Sequence, residues 1–172
     1  WLRERGLEAT ILKEAAGGTL VFGVCGGYQM LGRSVSDPEG VEAAGLTELR
    51  GMGLLEMETV FHGAKVQRQT SGVFSGVSGM LAALDGLHYE GYEIHMGRSE
   101  ETVPALLGGG NVYGSYVHGI FDAPGVTDTI LKAVCAQRGI DFDALGTFDL
   151  TASRQKQYAL LADSVRGGLD MS

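Results

Sequence analysis

Apolar residues in this chain recur in short blocks, and their spacing changes from one block to the next. Over Trp1–Ala16 the residues Leu2, Leu7, Ile11, Leu12 and Ala15 return at helical spacing, which predicts a helix broken at Gly6 with those side chains on its buried face. Thr19–Val24 is a continuous apolar run of strand length, and Tyr28–Leu31 opens a second helix that ends near Gly32. Asp37–Gly51 reads as a loop with a turn at Asp37-Pro38. Leu54–Phe61, Ala64–Thr70, Gly91–Met96 and Val112–Val117 have the alternation or β-branched and aromatic content of strands. Thr127–Arg138 predicts a helix, and Thr151 is placed to cap a last one carrying Tyr158, Leu161, Ala162 and Val165.

The glycine count changes how the gaps are read. Of the 28 glycines, several crowd into Gly72–Gly79 and Gly108–Gly110, where they predict tight turns between short strands, since apolar residues recur throughout. No linker, repeat or low-complexity tract divides the chain, so a single domain is expected over residues 1–172. An early parallel βα unit followed by a strand-rich middle predicts an α/β sheet with an antiparallel extension.

The first strand delivers Cys25 into Gly26-Gly27, a strand-to-helix turn with the geometry of a nucleophile elbow. Gly23, Gly26 and Gly27 are expected to supply the backbone angles and close approaches such a turn needs. A sulfur there faces the positive end of the next helix, which favours the thiolate. A single cysteine is more often core packing. The turn, together with His118 at the end of a second glycine-flanked strand, tips the reading toward a thiol–imidazole pair far apart in sequence and close in space.

Gly23-Val-Cys-Gly-Gly-Tyr-Gln-Met-Leu-Gly32 and Tyr116-Val-His-Gly-Ile-Phe-Asp122 resemble the two signatures of class I glutamine amidotransferase domains. Gly91-Tyr-Glu-Ile-His-Met-Gly97 is similar, more narrowly, to the cobyric acid synthase branch, as are Asp37–Glu42, Gly51–Leu55, and Thr59–Phe61 followed by Lys65. The resemblance implies a flavodoxin-like sheet with helices on both faces. It implies a glutaminase in which Cys25 attacks the side-chain amide of glutamine, the Gly26 N–H steadies the oxyanion, and His118 serves as acid and base. The ammonia would serve ATP-dependent amidation of carboxylates on adenosylcobyrinic acid a,c-diamide, a corrin, in cobalamin biosynthesis. No cofactor is expected in this domain; ATP and Mg2+ belong to a synthetase domain of the same polypeptide.

Two departures matter. Where many class I domains carry an acid two residues after the histidine, this chain has Ile120; Asp122 falls on the same side of an extended strand as His118, and a Cys25–His118 dyad is the resulting reading. Glu93 and His95 share a strand face and either orient the dyad, shape the ammonia route, or form a structural pair. Tyr28 and Gln29 are candidate glutamine contacts or core residues. The second departure is that the chain opens at Trp1, after the family's first strand and the Pro-Gly loop that supplies another oxyanion N–H. Losing one such donor costs roughly a hundredfold in rate, so a truncated piece, weak or inactive by itself, is expected.

Composition narrows the partners. A formal charge of −8 without a basic cluster argues against nucleic-acid binding, no apolar run is long enough to span a bilayer, and a cytoplasmic enzyme is expected. Cys135 lies in a helical apolar pattern and reads as packing. His62, His88 and His95 lack the ligand spacing of a metal site. Open sheet edges left by a missing segment provide a route to oligomers. The alternatives are a sister amidotransferase (cobyrinic acid a,c-diamide synthase or lipid II isoglutaminyl synthase), a cysteine hydrolase on the same elbow, and a non-enzymatic interaction module.

Overall fold

Helix α1 (Leu7–Ala16) leads into strand β1 (Val21–Val24), which turns at Cys25 into the short helix α2 (Gly26–Leu31). The computed structural model describes residues 1–42, 47–99, 104–145 and 150–168. Strands β2 (Ser34–Ser36), β3 (Glu48–Arg50), β4 (Glu58–Val73), β5 (His88–Arg98), β6 (Leu107–Gly109) and β7 (Val112–Ser115) follow, then helices α3 (Val126–Gln137) and α4 (Leu150–Gly168). The architecture is α/β. β1 pairs in parallel with β7, and β6 adds antiparallel to β7; the extension is a second sheet in the order β3-β2-β4-β5, dominated by the long β4–β5 hairpin.

Alternation along the parallel pair builds two cores. Val21 and Val112 face Ile11, Tyr28, Leu31 and Tyr116 on the side of α1 and α2. Phe22 and Tyr113 face Leu81, Leu84, Ile120, Val126 and Ile130 on the side of α3. Helices thus cover both faces. α2 lies directly on the strands because Gly23 and Gly114, paired in register, carry no side chain: a Cβ at Gly23 would stand 2.7 Å from Leu31 Cδ1, and one at Gly114 would overlap the Tyr28 ring. Tyr28, fully buried, packs edge-on to Tyr116 at 4.9 Å. Burying side chains of this size contributes roughly 2–3 kcal/mol each.

Several elements differ from the sequence expectations. Residues 54–57 form a turn, and the two strands expected over 54–70 are one strand with a bulge between Phe61 and Val66, because β5 pairs along most of that length. The loop expected over 37–51 contains β3, and part of it lies outside the described residues. The chain from Trp1 to Gly6 is turns, and Leu7 is exposed, so α1 buries less than its spacing implied. The last helix is described over Leu150–Gly168, a span that includes Thr151. Tyr158, Leu161 and Val165 on it are exposed. Cys135 is buried on α3, as its spacing implied.

Candidate active site

Cys25 is where the β1 ladder ends and α2 begins. Its N–H donates to the Ser115 carbonyl at 2.8 Å, continuing the pairing with β7, while its own carbonyl accepts the Gln29 N–H at 3.0 Å as the first helical bond. One residue serving both elements is forced to φ 52° and ψ −112°, and Cys25 is the only non-glycine with positive φ among the described residues. Such a conformation costs on the order of 1–3 kcal/mol. The left-handed angle expected of the neighbouring glycines therefore belongs to the cysteine. A Cβ at Gly26 or Gly27 would meet nothing within 4 Å, so their lack of side chains leaves open space at the head of α2. The half-buried sulfur donates weakly to the Ile94 carbonyl at 3.7 Å. Burial pushes the Cys25 thiol up, and the Gly26 N–H only partly offsets it. The direction is opposite to that expected for a thiolate favoured at this turn, because desolvation of the sulfur is the larger effect.

His118 lies three residues beyond β7. Its N–H donates to the Tyr92 carbonyl at 2.8 Å and its carbonyl accepts the Tyr92 N–H at 3.1 Å, an isolated antiparallel bridge onto β5. The imidazole stacks on the Tyr92 ring with centroids 5.0 Å apart and planes 8° from parallel. Its Nε2 is buried without a hydrogen-bond partner. No hydrogen bond joins Cys25 to His118, but both meet β5 two residues apart, at Ile94 and Tyr92.

Asp122 does not follow His118 along a strand. Gly119, at φ 77°, turns the chain into a 3₁₀ turn over Ile120–Asp122, burying Ile120 and placing the Asp122 carboxylate 2.7 Å from Arg154 Nη2. Among the described residues no carboxylate is bonded to the imidazole of His118.

Glu93 and His95 do share a face, opposite Tyr92. Arg68 Nη2 donates to both Glu93 carboxylate oxygens at 3.1 Å, and His95 Nε2 is 3.4 Å from Glu93 Oε2. His95 Nδ1–H donates to the Gly97 carbonyl at 2.6 Å, and its ring stacks on Tyr116 at 3.9 Å. These groups line a cavity of about 540 Å³ with Arg98, Ser99 and Val117. None of their hydrogen bonds, ion pairs or ring contacts reaches Cys25 or the His118 imidazole, while Ile94, between Glu93 and His95, accepts from the Cys25 thiol. Gln29 is buried, its Nε2 donating to the Tyr116 hydroxyl at 3.4 Å, and Tyr28 lies in the core; neither side chain opens onto the space above Gly26. Sequence reasoning missed Tyr92 and Arg68. Alternation put Tyr92 opposite Glu93, yet nothing local revealed that this other side meets His118.

Residues 1–126 match the family of CobB/CobQ-like glutamine amidotransferase domains. The chain belongs to that family. Similar over 99% of this chain are the cobyric acid synthases of Lachnoclostridium phytofermentans, at 44% identity, and Ruminiclostridium cellulolyticum, at 43%. That of Dehalococcoides mccartyi is 40% identical over 100% of this chain. The chain spans 38% of the first relative's length and 37% of the other two. A crystal structure of a glutamine amidotransferase aligns with 77% of this chain and 70% of its own, at 19% identity and a TM-score of 0.48, too distant to add to the assignment.

For a glutamine amidotransferase domain the arrangement offers a thiol on a strained turn, two glycines with open space beside them at the head of the next helix, and an imidazole bridged to the strand that the sulfur touches. Among the described residues no three His, Cys, Asp or Glu side chains are placed to hold a metal ion, and no helix is long and apolar enough to cross a membrane.

Proposed function

We propose that this domain is the glutaminase of a cobyric acid synthase. It hydrolyses glutamine to glutamate and passes the ammonia to ATP-dependent amidation of carboxylates on adenosylcobyrinic acid a,c-diamide. The cobyric acid synthases aligned along the chain support this, with the Gly91–Gly97 run. ATP, Mg2+ and the corrin would bind a synthetase domain of the same cytoplasmic polypeptide, and glutamine hydrolysis involves none of the three.

The observation that carries the reading is Cys25 at φ 52° beside the open head of α2, with His118 bridged to the strand that touches its sulfur. The thiol proton passes to His118, and the thiolate attacks the side-chain amide carbon of glutamine. The Gly26 N–H, at the helix terminus, donates to the oxyanion. As the C–N bond breaks, the imidazolium returns a proton to the leaving nitrogen, giving ammonia and a Cys25 thioester. Water, deprotonated by His118, then cleaves the thioester to glutamate and the free thiol.

Labelling with 6-diazo-5-oxo-L-norleucine, a glutamine analogue, followed by peptide mapping tests the assignment. Stoichiometric modification at Cys25, suppressed by excess glutamine, is expected. A folded full-length protein that leaves Cys25 unmodified would remove glutamine as its substrate.

A further inference from the structure

Among the described residues no acid is bonded to the imidazole of His118, and its Nε2 has no hydrogen-bond partner, yet its ring lies 8° from parallel to that of Tyr92. We propose that Tyr92 is the positioning residue for His118, holding the imidazole by its face where other triads hold it by an edge; this rests on the Cys25–His118 reading above. The two residues exchange both backbone hydrogen bonds, so neither can slide along the other. Gly91 makes the approach feasible, since a Cβ there would overlap the His118 carbonyl. The next residue, Glu93, is anchored by Arg68, which holds this stretch of β5 in place.

The chemistry follows from the geometry. When Cys25 Sγ gives up its proton, the sulfur keeps the electron pair and the imidazole becomes a cation. A cation over an aromatic face is attracted by the ring quadrupole. Tyr92 therefore keeps the imidazole plane fixed and its ring nitrogens aimed in one direction while the proton is held. Tyr92 is 46% exposed and belongs to neither core cluster, so its truncation leaves the packing of the domain intact.

The test uses the full-length protein and two readouts, glutamine turnover and iodoacetamide alkylation of Cys25 mapped by mass spectrometry. Alkylation reports on the thiol–imidazole pair without needing the glutamine pocket. His118→Ala is expected to slow alkylation at neutral pH about tenfold, and Tyr92→Ala severalfold, as part of the acid–base contribution. Tyr92→Phe, which keeps the face, should stay within about twofold of the parent. In the double variant Tyr92→Ala should add nothing to His118→Ala, because its effect runs through the imidazole. In turnover Tyr92→Ala should lower kcat and leave KM nearly unchanged. A Tyr92→Ala protein that alkylates at the parent rate while His118→Ala slows, or one that slows further in the His118→Ala background, would overturn the assignment. Parent-rate alkylation of His118→Ala would overturn the dyad and this role together. The expected alkylation pattern without glutamine turnover would remove the glutaminase reading and leave the role of Tyr92 standing.

Discussion

Replacing Gly91 by alanine drives a methyl group into the place where β5 bridges to the His118 backbone. Gly91 is paired with Thr70 in the hairpin and has no left-handed φ, so the substitution acts through space rather than through backbone angles. The new Cβ would overlap the His118 carbonyl oxygen and stand 2.7 Å from Val117 Cγ1, whereas ordinary contact begins at 3.4 Å. The strands must therefore part, and the two Tyr92–His118 hydrogen bonds, at 2.8 and 3.1 Å, lengthen or break. Losing both removes about 2 kcal/mol, and overpacking adds roughly 1–3. The stiffer unfolded chain returns about 0.4–1 kcal/mol, leaving a net loss of about 2–4. For a domain of this size that lowers Tm by roughly 5–15 °C. Urea unfolding followed by circular dichroism measures it, with Gly27→Ala as the contrast. Gly27 is helical with nothing within 4 Å, so the same methyl there should stabilise by about 0.4–1 kcal/mol. If Gly91→Ala shifts stability by less than about 0.5 kcal/mol, the close approach is not what holds His118, and the argument from contact fails.

Further outcomes follow from the same structure. Cys25→Gly should abolish labelling by the glutamine analogue while raising stability by about 1 kcal/mol in urea unfolding, because glycine relieves the strain at φ 52°. The rate of Cys25 alkylation should rise with pH along a curve displaced to higher pH than that of an exposed cysteine, since burial favours the neutral thiol. The linkage has a definite sign: the folded pKa lies above the unfolded one, so the stability this group contributes is fully present below the unfolded pKa and is lost as pH rises through the folded one. Cys25→Ala should flatten that alkaline loss in a pH series of unfolding curves. Glu93→Ala should destabilise by about 1–3 kcal/mol, because it strands the buried His95 ring and one end of Arg68. Arg68→Ala should cost less, as its side chain is 65% exposed and screened by solvent.

How much of this was legible beforehand depends on the range of the signal. The elbow was readable because strand, nucleophile and helix are contiguous, and a run such as Thr19–Leu31 carries its own turn chemistry. The pairing of Glu93 with His95 was readable because period two is a local property of a strand. The length of β4 was not, because a partner strand sustained pairing through residues whose own pattern suggested a break. Asp122 was misplaced because the left-handed angle at Gly119 ends the extended chain, and a glycine in sequence does not announce which angle it adopts.

The sequence by itself determined the chemistry and its class: a cysteine at a strand-to-helix turn, a histidine at a strand end, and motifs matching a glutamine amidotransferase family over residues 1–126. Tertiary structure alone decided what surrounds them. It placed the strain on Cys25 rather than on the glycines after it, and it raised the thiol by burial against the pull of the helix terminus. It set the face of Tyr92 against the imidazole of His118. The reason is physical: bond angles and alternation are set between neighbours in the chain, whereas desolvation and ring stacking depend on residues that only folding brings together.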